Sequence, residues 1–290
     1  MAKFTEYAKD RILNYYFVSG NSFTQNPSSG TPNTYATLLT GSDPGNAGSL
    51  AGEIANLSRV SIPWAAAADA DGELATTSDV TFTTTSVTGS HTVNYVGIVE
   101  DTAGSTPKLL AYGALSTPIT VDSTASVKIA TGNLKVGYIE NSQSSPNDAA
   151  RAISDDVAKD SIDATFKYDT PSIANPATAT TLDLALFQTD THPLSTSDEF
   201  SGAGSLNYTR QSVQFSAAAA GTSGDRRKVT NSATVTFQNI GVSGTTNATL
   251  KRWAVFNGTQ LLAVNVFNAI NIQDGSDITF AAGDIVIEIE

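Results

Sequence analysis

The fold is decided by the stretch VKIATGNLKV at residues 127–136, because it returns without a gap as ITFAAGDIVI at residues 278–287. In each copy, two short runs rich in Val, Ile and other strand-forming residues flank a Gly-Asn or Gly-Asp pair. Such runs predict β-strands, and a Gly-Asn or Gly-Asp pair between them predicts a tight hairpin turn. The two stretches therefore indicate two copies of one β-domain, each closed by the same pair of strands.

Other segments return in the same order, which extends the repeat over most of the chain. The matched segments, first copy before second, are 35–40 and 183–188, 57–64 and 208–215, 79–82 and 234–237, 96–99 and 253–256, and 109–111 and 261–263. In the second pair an Arg, a Ser and a closing aromatic residue coincide. Similar composition alone does not preserve such an order, so we interpret the chain as a tandem duplication.

The predicted fold class is mainly β, with two tandem antiparallel β-sandwich domains and a short N-terminal helix. A chain of 290 residues is long enough for two domains. We expect the helix and the first sandwich at 1–139, a linker at 140–160 in which 148–159 could form a short helix, and the second sandwich at 161–290. First-copy strands are predicted at 35–40, 57–64, 79–84, 93–100, 108–115, 126–130 and 134–139.

The N-terminal helix is predicted at residues 3–18 from a stripe of mostly aromatic residues spaced three and four apart. The plain interpretation is that this stripe packs on the helix's own domain. The alternative is that it docks the protein onto a neighbouring subunit, through Phe4, Tyr7, Ile12, Tyr15 and Tyr16. The second copy is expected to lack such a helix, so only one end of the molecule would be the anchor.

The overall charge and composition limit the possible partners. The chain has 16 Lys and Arg against 28 Asp and Glu, which gives a net charge of −12 and disfavours nucleic acid as a partner. It has no Cys, which excludes disulfides and thiolate metal sites. No run has the apolar character of a signal peptide or of a membrane-spanning helix. We therefore expect synthesis in the cytoplasm and no membrane insertion.

The residues needed for catalysis or metal binding are sparse, so we expect no enzyme and no cofactor. The two histidines, His91 and His192, lie at non-equivalent places. Acidic clusters at 69–73 and 155–156 suggest calcium at most, and the first lacks the spacing of an EF-hand loop. The one concentrated basic stretch of the sequence consists of Arg226, Arg227 and Lys228, which follow Asp225. It is either a solvated turn or a contact with an acidic neighbour, such as the first domain of another copy.

Several of these segments together resemble a family of small phage virion proteins that are described as tail-fibre or decoration-like. The resemblance is carried by the N-terminal helix at 4–17, LTGSDP at 39–44, LLAYGAL at 109–115, YTRQSVQF at 208–215 and FAAGD at 280–284. It implies a structural protein located in the virion, whose partners are other phage structural proteins. A homo-oligomer is expected, because particle accessories are commonly symmetric.

Three functions are compatible with these features. The first is a capsid decoration or cement protein on the major capsid protein, which would stabilise the assembled state by binding only to it. The second is a tail-fibre or tail-tip protein for host attachment, although the chain shows neither heptads nor collagen-like triplets for a shaft. The third is a carbohydrate-binding or adhesive module, which the burial expected for Trp64 and Trp253 disfavours.

Overall fold

The computed structural model of the chain describes residues 3–18, 34–45, 48–65, 73–100, 106–137, 155–167, 173, 182–188, 199–200, 205–206, 208–221, 226–242, 248–273 and 275–289. All the strand pairings in these ranges are antiparallel.

The first repeat contains one large sheet and two small ones. Its elements are β1 (Lys3–Phe4), α1 (Glu6–Phe17), β2 (Thr34–Thr40), β3 (Val60–Ser61), β4 (Glu73–Ala75), β5 (Val80–Phe82), β6 (His91–Glu100), β7 (Lys108–Val121), β8 (Val127–Ile129) and β9 (Lys135–Gly137). The large sheet has the order β1-β7-β6-β2-β3, and the small sheets are the pairs β4-β9 and β5-β8.

The second repeat has the same arrangement. Its elements are α2 (Asp155–Ile162), which continues as a π-helical turn (Asp163–Lys167), β10 (Leu182–Phe187), β11 (Ser205–Leu206), β12 (Gln211–Val213), β13 (Ala219–Ala220), β14 (Arg227–Thr230), β15 (Val235–Val242), β16 (Ala248–Asn257), β17 (Gln260–Ile272), β18 (Ser276–Phe280) and β19 (Val286–Ile289). The large sheet is β12-β10-β16-β17, and the small sheets are β11-β15-β18 and β13-β14-β19.

In each repeat the core lies between the large sheet and the small sheets. In the first, Leu38 and Ile98 of the large sheet share one apolar cluster with Leu74 and Val80 of the small sheets. Leu186, Val255, Phe237 and Ile287 form the corresponding cluster in the second repeat. Burying one face of every sheet in this way is the arrangement of a β-sandwich. The predicted fold class is confirmed.

The strand registers confirm the alignment of the two copies. Tyr35 pairs with Ser61 in the first repeat, and the aligned Asp183 pairs with Ser212 in the second. The same correspondence holds in the small sheets, where β5 pairs with β8 and β15 pairs with β18 at matching positions. Equivalent residues therefore occupy equivalent places in the two sandwiches.

The predicted hairpin turns are wrong in one respect. Gly132 and Gly283 do lie in tight turns, with φ of 75° and 92°, a region in which glycine is favoured because it has no Cβ. However, β8 and β9 pair with β5 and β4 and not with each other, and β18 and β19 likewise pair with β15 and β14. The turns are therefore corners at which the chain passes from one small sheet to the other.

Other strand boundaries differ from the prediction. The structure reduces the predicted strand at 57–64 to β3, extends the strand at 108–115 to Val121, and adds the unpredicted β4. Helix α1 begins at Glu6, because Thr5 caps it and Lys3–Phe4 instead pairs with β7. Residue 139 and most of the predicted linker lie outside the described residues, so the linker boundaries stay a prediction.

The expectation that the second copy lacks a leading helix is wrong. Helix α2 stands before the second sandwich as α1 stands before the first, and Ala158-Lys159-Asp160 repeats Ala8-Lys9-Asp10. The short α2 shares four identical residues with α1, because Ile162 also repeats Ile12, and it lies mostly where a linker with a short helix at 148–159 was expected. This explains why composition alone assigned the segment to the linker.

Candidate functional site

Helix α1 bridges the two repeats, and its first half is fixed to its own sandwich. The Thr5 hydroxyl donates to the carbonyl of Leu109 over 2.7 Å. Glu100 on β6 accepts from the Tyr7 hydroxyl at 3.0 Å and from the Arg11 guanidinium at 3.1 Å. Because the Arg11 and Glu100 side chains are almost fully buried, this ion pair holds the helix in one orientation.

The second half of α1 packs on the other repeat. The ring of Phe17 meets that of Phe215 edge-on, with centroids 5.9 Å apart. Asp10 accepts two hydrogen bonds from the Arg227 guanidinium, at 2.6 and 2.7 Å. The side-chain oxygen of Asn14 accepts from the backbone amide of Ala218 at 2.8 Å. The carboxyl-terminal half of α1 is thus part of the second domain's interior.

Helix α2 makes the reciprocal contact. Ile162 and Phe166, which follow Ala158 at the spacing at which Ile12 and Tyr16 follow Ala8, are buried in the core of the first repeat. The Phe166 ring lies 5.8 Å from Phe4 and 6.4 Å from Trp64, and the Thr34 hydroxyl donates to its carbonyl. Each helix therefore covers the sandwich of the other repeat.

The two helices meet between the sandwiches at a buried hydrogen bond. The Tyr16 hydroxyl donates to the Asp160 carboxylate at 2.7 Å, and that carboxylate also accepts from the amide of Ile173. The Tyr15 hydroxyl donates to the carbonyl of Ile173. A carboxylate that is buried in this way requires such donors to offset its lost hydration. We call the contacts of α1 and α2 with the opposite sandwiches, together with this bond, the exchange interface.

The aromatic residues predicted to dock the protein lie mostly in this interface. Phe4, Ile12, Tyr15 and Tyr16 are buried among other parts of the same chain. Tyr7 is the exception, with 42% of its surface exposed. Burial also raises the pKa of the Tyr7 hydroxyl, with a further contribution from the charge of Glu100. Binding of another virion protein through these residues stays a prediction, for which Tyr7 offers the accessible surface in this conformation.

The basic residues predicted to contact an acidic neighbour have acidic neighbours within the chain. Arg227 pairs with Asp10, and the hydrogen bonds of that carboxylate hold the pKa of the guanidinium above its ordinary value. Arg226 lies 3.7 Å from Glu288. Lys228 on β14 is half-buried. A contact of this stretch with another copy stays a prediction.

The Arg that coincides in both copies has a structural role. Arg210 forms a two-pronged pair with Glu199, donating from Nε to Oε1 and from Nη2 to Oε2, and Glu199 also accepts from the Tyr208 hydroxyl at 3.1 Å. Arg59 holds Glu53 in the same way, with both distances at 2.7 Å. Burial raises the pKa of the Tyr208 hydroxyl, so it stays a hydrogen-bond donor. The repeated Arg therefore ties one loop to the edge of the large sheet in each sandwich.

The described residues hold little that resembles a reactive centre. Within them, no group of three or more His, Asp or Glu residues is placed to hold a metal ion. His91 is half-exposed, with Nε2 3.0 Å from the carbonyl of Thr88, and Glu73 pairs with Lys135. His192 and residues 69–72 lie outside the described ranges, as do the side chains of Asp155 and Asp156. No described helix is long and apolar enough to cross a membrane.

Comparison with known families accounts for the duplicated architecture. The sequence profile of a family described as podophage GP4 fiber I protein gp80 matches residues 3–137 and matches again over residues 152–288. The chain belongs to this family. Each match of the gp80 profile begins just before one of the two helices, so the family's unit includes a leading helix and a sandwich. No curated protein shows significant similarity to the chain. The gp80-family membership identifies a structural protein of the phage virion.

Proposed function

We propose that this chain is a structural component of a tail fibre, which serves host attachment in a podophage virion. The observation that carries the proposal is the double match to a family of fibre proteins, which covers both repeats with their helices. Of the three functions considered from the sequence, we therefore favour the tail-fibre function over capsid decoration.

The structure suggests which part of a fibre the chain would form. The longest helix in the described part of the chain has 12 residues, and the strands belong to the two sandwiches. A long coiled-coil shaft needs many consecutive heptads, which a helix of this length does not contain. We therefore expect a compact unit at the base or the tip of a fibre, with other virion proteins as its partners.

Capsid decoration is the rival function, and it loses part of its support. Docking through the aromatic stripe of α1 was one way in which a decoration protein could attach to the capsid, but Phe4, Tyr15 and Tyr16 are buried within the chain. The adhesive-module alternative needs exposed aromatic rings. Trp253 is buried, and the Trp64 indole packs on the first core and donates to the Thr34 hydroxyl. Trp253 therefore offers no platform for a sugar, and the half-buried Trp64 offers only part of its ring.

The proposal is tested by counting copies of the chain in purified particles. Quantitative mass spectrometry would measure the number of copies of the chain per particle, relative to the major coat protein and one tail protein from the same sample. A fibre component is expected at a few to a few tens of copies. Hundreds of copies would refute the proposal and establish decoration of the capsid lattice.

A location experiment complements the count. The chain has no Cys, so a single thiol can be introduced at an exposed strand position such as Thr117. A phage carrying Thr117→Cys would be labelled with maleimide-gold and viewed by electron microscopy, with the unsubstituted phage as the control. Gold at the tail supports the proposal, whereas gold spread over the capsid contradicts it.

A further inference from the structure

Each β-sandwich is an incomplete unit without the helix of the other repeat. The apolar cluster of the second sandwich includes Ile12, Leu13 and Phe17, which are all at most 1% exposed. These side chains come from the first repeat and fill space between Phe215 and the rest of that core. Removing α1 would expose this apolar surface to water, which is unfavourable in proportion to its area.

Each sandwich depends on the helix of the other repeat. A single helix that lay across a neighbouring domain would give this dependence in one direction only. Along both helices the first positions face their own sandwich and the later positions face the other one. Ala8 lies in the first core and Ala158 in the second, whereas Ile12 lies in the second and Ile162 in the first. Equivalent residues at these two positions therefore exchange sandwiches in both directions. Such reciprocity is the property of a two-fold dimer.

The contacts that join the repeats are direct and specific. They include the ion pair of Asp10 with Arg227 and the buried bond of Tyr16 with Asp160. These contacts are made by α1, α2 and the sandwiches, and a covalent connection between the repeats adds to them by keeping the two repeats at a high effective concentration.

We propose that the chain is a dimer within one polypeptide, in which each sandwich carries a groove that binds the helix of a second copy of the repeat. The partner that fits the groove is an amphipathic helix that presents Ile12 and Tyr16, or their counterparts Ile162 and Phe166, on one face. The association of the two repeats rests on this exchange and survives the loss of the covalent connection.

The test uses the full chain with a site-specific protease site inserted within residues 141–147. After cleavage, size-exclusion chromatography with light scattering would measure the mass under native conditions. Halves that stay together at the mass of the intact chain, 30.1 kDa, are the expected result. Halves that separate or precipitate would overturn the proposal, because the proposed interface should hold the two repeats together without an intact linker.

Two substitutions on α1 then separate association from folding. In the cleaved protein, Tyr16→Ala is expected to weaken association of the halves by about 100-fold, because it removes a buried ring and the partner of Asp160. Tyr7→Ala is the matched control, since Tyr7 lies on the same helix but contacts Glu100 of its own sandwich. Equal effects of the two variants would overturn the assignment of the interface.

A charge exchange tests the specific pairing. Asp10→Arg is expected to weaken association of the cleaved halves by about tenfold or more, because it places two guanidinium groups together. Adding Arg227→Asp restores an opposite pair and should recover most of the affinity. Circular dichroism of the intact variants reports any general loss of folding. Failure of the double variant to recover affinity, with folding intact, would contradict the pairing.

Discussion

Replacing Phe17 with Ala should destabilise the second repeat, although residue 17 belongs to the first. The ring is 1% exposed and packs on Phe215. Removing a buried Phe side chain costs about 4 kcal/mol, because the lost apolar contacts are followed by a cavity. With a urea dependence of about 2 kcal/mol per molar, the unfolding midpoint should fall by about 2 M.

The two tryptophans allow each repeat to be followed separately. The chain has one Trp in each repeat, Trp64 and Trp253. In a Trp64→Phe background, fluorescence reports the second sandwich through Trp253, which is 4% exposed. Phe17→Ala should shift the midpoint that this reporter gives in urea.

The control is Tyr7→Ala on the same helix. Because Tyr7 is 42% exposed and faces the first repeat, its loss should cost about 1 kcal/mol or less. The Trp253 midpoint should then move by no more than about 0.5 M. A Trp253 midpoint that stays unchanged in Phe17→Ala would refute the exchange of helices between the repeats.

Two further predictions concern the ion pairs. Arg210→Met should lower the free energy of unfolding by about 3 kcal/mol, because it removes the cationic partner of the Glu199 carboxylate, which is only 7% exposed. Arg59→Met should cost only about 1 kcal/mol, because the equivalent Glu53 carboxylate is 21% exposed. Similar urea midpoints for the two variants would contradict this difference. Hydrogen bonds from Lys128 and from the backbone amide and hydroxyl of Thr131 lower the pKa of Asp79 from 3.8 to about 2. The stabilisation from the charged Asp79 is therefore complete above pH 3.8 and is lost as the pH falls to about 2. Urea midpoints measured across that range should fall less steeply in Asp79→Asn than in the wild type, and equal slopes would refute the assignment.

Much of the fold could be predicted from the sequence. The order of strands, the duplication and the residue-by-residue alignment follow from local β-pattern and turn residues, because alternation and Gly positions are imposed by each strand and turn on its own stretch of chain. The pairing of Tyr35 with Ser61 and of Asp183 with Ser212 agrees with that alignment. The candidate site was predicted less well. The aromatic stripe was found, but its surroundings were not.

Only the tertiary structure decided which sandwich each helix covers. The apolar face of α1 has the same pattern whether Ile12 and Phe17 pack on the first repeat or on the second. The short helix predicted at 148–159 overlaps α2 but was assigned to the linker, because its place in the fold depends on the buried contacts of Ile162 and Phe166 with the first repeat. Periodicity within a segment specifies which face is buried. Which surface covers that face depends on the packing free energy between segments about 200 residues apart, such as those of Asn14 and Ala218. That free energy is realised only when the whole chain has folded and brought the two segments together.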